Sequence, residues 1–89
     1  MQVAIDISLY PLTQDYEPSI IAFIQQLRQA DGLRVHTNTL STQVTGEYNT
    51  VMAALQSAMK TTFQNGHTHS FVLKVLNVEV EPGAVVEIG

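Results

Sequence analysis

The chain has 89 residues, 45% of them apolar and 13% charged, with a formal net charge of −4 and no cysteine. A chain this short forms one domain with a modest core. Four Lys plus Arg against eight Asp plus Glu exclude the basic stripe that nucleic-acid binding demands, and without cysteine there is neither a disulfide framework nor a thiolate metal site. No basic leader and no long apolar run is present, so the sequence reads as soluble and cytoplasmic. Few charges on so much surface per residue also predict that part of the surface is covered by another subunit.

The first predicted strand runs from Val3 to Tyr10. Val3, Ile5, Ile7 and Leu9 alternate strictly with Ala4, Asp6, Ser8 and Tyr10, which sends the two sets to opposite faces. The second set is a small residue, a carboxylate, a hydroxyl and a phenol. It is neither a hydrophobic face nor an ordinary solvated one, and a polar, flat ligand is the expected cover.

Beyond Pro11, a polar run leads to Ile20, Phe23, Ile24 and Leu27 at helical spacing, predicting an amphipathic helix over 18–30 with Pro18 in its first turn and Gly32 past its last. Leu33 to Asn38 and Leu40 to Gly46 predict a strand pair turning at Asn38-Thr39. A second helix is predicted over 49–63 with Asn49 as N-cap and Val51, Ala54, Leu55, Ala58 and Met59 as its apolar stripe. Gln64 to Thr68 is a loop and Phe71 to Val80 the last strand. Pro82-Gly83 stops it, and the tail from Ala84 to Gly89 could add an edge strand. The order β-α-β-β-α-β is the ferredoxin-like pattern: an α+β fold with an antiparallel four-stranded sheet and both helices on one face. The other face is left bare, with Asp6, Ser8, Tyr10, Val72, Lys74, Leu76 and Val78 placed on it, and its apolar members predict association with another sheet.

Ser8-Leu-Tyr-Pro-Leu12, Ser41-Thr-Gln-Val-Thr-Gly46, Val51 at the opening of the second helix and Glu81-Pro-Gly83 together resemble the thiamine/hydroxymethylpyrimidine-binding family of YkoF-like proteins. The similarity spans nearly the whole chain in element order. It implies a ferredoxin-like fold, sheet-to-sheet association into a homodimer or homotetramer, and binding of thiamine or its pyrimidine moiety without chemistry and without a cofactor. Thr45 stands where related single-domain members often carry an acidic residue. Val78 stands near where they place an arginine, which implies a ligand free of phosphate.

Ligand-binding candidates are Asp6, Ser8, Tyr10, Ser41, Thr42 and Gly46. Asp6 can accept a hydrogen bond from an aminopyrimidine or face a thiazolium cation; its other reading is an ion pair with Lys74. Ser8 and Thr42 can each donate and accept toward a heterocycle, although Thr42 also suits a strand for its shape alone. Tyr10 can stack on a flat ring or simply cover core. Gly46 reads as a backbone position, a bulge or close approach. His67 and His69 read as loop residues, since a metal would want a third ligand.

The inventory for catalysis is thin. There is no cysteine nucleophile or phosphate loop, and no arginine or lysine lies between Pro11 and Glu17, where an acylphosphatase of this fold would need one. The expected function is therefore non-enzymatic binding of thiamine or hydroxymethylpyrimidine at the open sheet face or a subunit interface. The rival classes are a ligand-free oligomeric interaction or regulatory module, and a small enzyme using His36 or His69 as a base.

Overall fold

The computed structural model describes residues 1–84. The elements follow the expected order: β1 (Gln2–Pro11), α1 (Glu17–Gln29), β2 (Arg34–Thr37), β3 (Thr42–Glu47), α2 (Tyr48–Phe63) and β4 (His69–Leu76). They build one antiparallel sheet ordered β2-β3-β1-β4. The fold is ferredoxin-like α+β.

The alternation along β1 organises the core. Val3, Ile5 and Ile7 are buried with Val44 of β3, Phe23 and Leu27 of α1, and Val51, Leu55 and Ala58 of α2. Burying such side chains contributes about 1.5–3 kcal/mol each. The predicted helix stripes hold, with Phe23 and Leu27 facing the sheet from α1 and Val51, Leu55 and Ala58 from α2. Phe71 of β4 packs on Phe23 at 5.0 Å between ring centroids and edge-on against Phe63 at 5.4 Å.

Several boundaries move, each for a local reason. The turn between β2 and β3 is longer than Asn38-Thr39. The Asn38 side-chain oxygen accepts from the amides of Leu40 at 2.8 Å and Ser41 at 3.1 Å, an Asx-type closure that withholds both amides from a ladder, so β3 starts at Thr42. The N-cap of α2 is Glu47 rather than Asn49. Its carboxylate accepts from the amide of Thr50 at 3.0 Å, which puts Asn49 inside the first turn. β4 starts at His69, paired with Pro11, and ends at Leu76, paired with Ala4. His69 is therefore a buried strand residue and not part of the loop that holds His67. Its Nε2 lies 3.1 Å from Ser19 Oγ and 3.2 Å from Asn65 Nδ2. This clasp ties the start of α1 to the loop before β4.

From Asn77 the chain turns away from β4 and crosses the face opposite the helices. Glu81 pairs with Arg34 on β2, and the Gly83 amide donates to the Gln43 side chain on β3 at 2.7 Å. Gly83 has φ +73°, and a Cβ there would meet the His36 ring at 2.8 Å; glycine is what lets this strap lie flat. The possible edge strand beyond Ala84 falls outside the described residues.

The amide of Thr50, and then that of Asn49, hold the Glu47 carboxyl below its ordinary value of 4.5. A depressed carboxyl stabilises the fold above its unfolded-state pKa, and the contribution is lost as pH falls through the folded value. Glu47→Gln should therefore be less stable than wild type at neutral pH, and the gap should close as pH drops below about 4.5. Denaturant melts of the two proteins at several pH values check this.

Candidate functional site

The strand registers leave one corner of the sheet incomplete. β1 pairs with β3 only as far as Ile7↔Thr42, yet with β4 it continues to Pro11↔His69. Ser8 to Pro11 thus have no strand beside them on the β3 side. The hairpin cannot extend to fill the gap, because the carbonyl of Ser41 accepts from the Asn38 amide at 3.1 Å and its own amide is held by the Asn38 side chain. Both groups close the turn on itself.

A groove of about 480 Å³ occupies this corner, within the usual range for small-molecule sites. Ile7, Leu9 and Phe23 give it an apolar base, Ile20 and Ile24 of α1 form one side, and Thr37 to Thr42 form the other. Tyr10, Leu12 and Tyr16 line it as exposed side chains. None of its lining residues is charged. Thr42 is buried, and its hydroxyl lies 3.0 Å from that of Thr37. Each hydroxyl can donate once and accept more than once, so the pair keeps hydrogen-bonding capacity for a guest. The unpaired backbone edge of β1 adds the amide and carbonyl of Leu9 and the carbonyl of Pro11. Together these can sandwich a flat, neutral, polar-edged ring.

Four of the six sequence candidates, Ser8, Tyr10, Ser41 and Thr42, line this groove. Asp6 does not. Asp6 and Ser8 share the face away from the helices, as expected, but Thr42 pairs with Ile7, which sends its side chain to the helix side. The candidates Asp6, Ser8 and Thr42 therefore do not share one face. The pattern Thr42, Val44, Gly46 carried the missing signal, because Val44 is core and alternation puts Thr42 beside it. Sequence reasoning also passed over Thr37, Asn38 and Tyr16, which lie on short or irregular segments with no period to mark them.

Gly46 touches neither cavity. A Cβ there would sit 2.9 Å from the Gly32 carbonyl and 3.0 Å from Val51 Cγ2, so the expected close approach is real: the turn after α1 rests directly on β3. Among the described residues, no group of three His, Cys, Asp or Glu could hold a metal.

The second cavity, of about 470 Å³, lies on the opposite face between the sheet and the strap. Ala4, Asp6, Gln43, Thr45, Lys74 and Leu76 line it from the strands, and Val80 and Pro82 from the strap. Asp6 and Lys74 are directly opposite in register but do not form the anticipated ion pair. The described residues contain a single ion pair, between Arg34 and Glu81.

Fold and groove define a ferredoxin-like domain with a small-molecule-sized recess at the exposed end of strand β1. The chain belongs to the thiamine-binding protein family, whose model matches residues 5–86. Its backbone is similar to that of a hypothetical protein from Methanocaldococcus jannascii, with a TM-score of 0.77 and 20% identity over 94% of this chain and 88% of that one. A candidate thiamine biosynthesis/salvage protein from Thermotoga maritima superposes with a TM-score of 0.74 and 18% identity, over 84% and 82% of the two chains. A Streptococcus pneumoniae protein does so at 0.71 and 23%, over 90% of each. No curated protein matches the chain.

Gly46→Ala should cost about 1–3 kcal/mol, the usual range for overpacking, because the nearest obstacle is a backbone carbonyl that cannot rotate away. A urea melt measures it, and an unchanged midpoint would contradict the contact.

Proposed function

We propose that the protein binds thiamine or its hydroxymethylpyrimidine moiety, without turning it over, in the groove at the end of β1. The observation that carries the reading is the uncharged, small-molecule-sized recess whose polar groups are hydroxyls, an amide side chain and free strand backbone. An aminopyrimidine has alternating donors and acceptors along one edge and two apolar faces. Ile20, Ile24 and Phe23 suit the faces, and Thr42, Thr37 and the β1 edge suit the rim. The thiazolium of thiamine gains nothing from an uncharged interior, so it sits at the mouth, where Tyr16 presents aromatic surface to a cation. Membership of the thiamine-binding family supports the ligand class.

Calorimetry with hydroxymethylpyrimidine, thiamine, thiamine phosphates and unrelated cations tests this. A pyrimidine ligand at a hundred times its Kd should add about 2.7 kcal/mol of stability. Thr42→Val keeps the shape but removes the hydroxyl, and should cost about 1–3 kcal/mol of binding, roughly a five- to 150-fold loss. Asp6→Asn should leave hydroxymethylpyrimidine binding unchanged. No response to any pyrimidine compound would leave the ligand-free interaction module as the better account. Chemical conversion of a bound ligand, lost on His36→Ala or His69→Ala, would show an enzyme instead.

The same proposal includes assembly through the open sheet face. Val72 is 57% exposed beside Ser8, and Leu76 48% exposed beside Ala4. The strap covers the Leu76 end, because Val80 and Pro82 share a cavity with it. The uncovered half is then Ser8, Tyr10, Ser70 and Val72, and that is where a second sheet docks. Sedimentation should give a dimer or tetramer at micromolar concentration, and Val72→Glu should dissociate it while leaving each subunit folded. A wild-type monomer would overturn this part.

A further inference from the structure

We propose that the cavity between the sheet and the strap is a second binding site, independent of the groove, that takes a small protonated primary amine through the carboxylate of Asp6. Asp6 is the middle member of a row across three strands, Gln43–Asp6–Lys74, fixed by register. Its Oδ1 is shut off from solvent and has no hydrogen-bond partner. A carboxylate oxygen in that position is costly unless an N–H donor meets it. Among the described residues no donor meets it. The chain has four cationic side chains, Arg28, Arg34, Lys60 and Lys74. Arg34 is paired with Glu81, Arg28 and Lys60 belong to the last turns of the helices on the other face, and Lys74 forms no ion pair with Asp6. Residues 85–89 contain no cationic side chain. A protonated amine held in the cavity would supply the missing donor.

The surroundings define the donor further. The Gln43 carbonyl oxygen accepts from the Gly83 amide, which ties this side chain to the strap. Ala4, Leu76, Val80 and Pro82 are apolar and suit a short aliphatic chain behind the charged head. At about 470 Å³ the space exceeds what a bare ion needs. A quaternary ammonium carries the same charge but no N–H. It would leave Oδ1 unsatisfied, so the site distinguishes the two.

The test is an amide NMR titration at pH 7 with butylamine, with tetramethylammonium and butyrate as controls. Butylamine should give saturable shifts centred on Asp6, Gln43, Thr45 and Lys74, with the groove residues undisturbed. The controls should give none, and Asp6→Asn should weaken butylamine at least tenfold. Val80→Lys tethers an ammonium to the strap over the same cavity. It should raise the melting temperature and abolish butylamine binding, and it reads the site even if Asp6→Asn misfolds. Equal shifts from tetramethylammonium would overturn the proposal, as would no response to butylamine. Shifts at these residues that follow protein concentration alone would also overturn it, by showing that a second copy covers Asp6.

Discussion

The central strand is longer than one of its neighbours, and the candidate groove follows from that mismatch. β1 needs ten residues to pass under both helices and reach the loop before α1, while β3 is stopped at Thr42 by the hairpin that Asn38 closes. Four residues of β1 are left with a backbone edge facing a cavity instead of a strand. In most sheets such an edge is a liability, open to any passing chain. Here α1 and the hairpin wall it in, which admits a small planar molecule and keeps out a strand. The same backbone that specifies the sheet thus becomes the part of the groove most rigidly held, since β4 still grips it on the other side.

Charge is divided between the two faces with little overlap. The groove on the helix side has no ionised lining residue, whereas the strapped face holds Asp6 and Lys74 and is crossed by the Arg34–Glu81 pair. Burial explains the division. The helix-side cavity opens off the core, where an unpaired charge would cost several kcal/mol. The strapped face is partly open, so Lys74 and the Arg34–Glu81 pair stay exposed there. A molecule with a neutral ring and a cationic ring can place only the first of them deep in the groove.

Architecture was legible in the sequence because its signals were periodic. Strict alternation in β1 and the helical spacing of Phe23, Leu27, Val51 and Leu55 gave element types, order and core face. What escaped was set by single side chains acting locally. Asn38 lengthened a turn, Glu47 displaced Asn49 as a cap, and Ser19 with Asn65 drew His69 into the interior. Four of the six candidate residues line the groove, but the face that Thr42 takes was not legible, since a threonine suits either side of a sheet. Nothing periodic marked the strap, whose partners Arg34, His36 and Gln43 lie some forty residues or more back along the chain.

That separation gives the strap a fixed place in the order of folding. Arg34 and Gln43 stand on different strands, and both must already be in register before Glu81 and Gly83 have anything to meet. Docking is therefore a late event, and the loop it closes costs entropy that only a finished sheet can offset. Until then the apolar residues of the open face, from Ala4 and Leu76 to Val72, are uncovered at once. The interval between sheet formation and strap docking is the stage at which two nascent copies would most readily stick together.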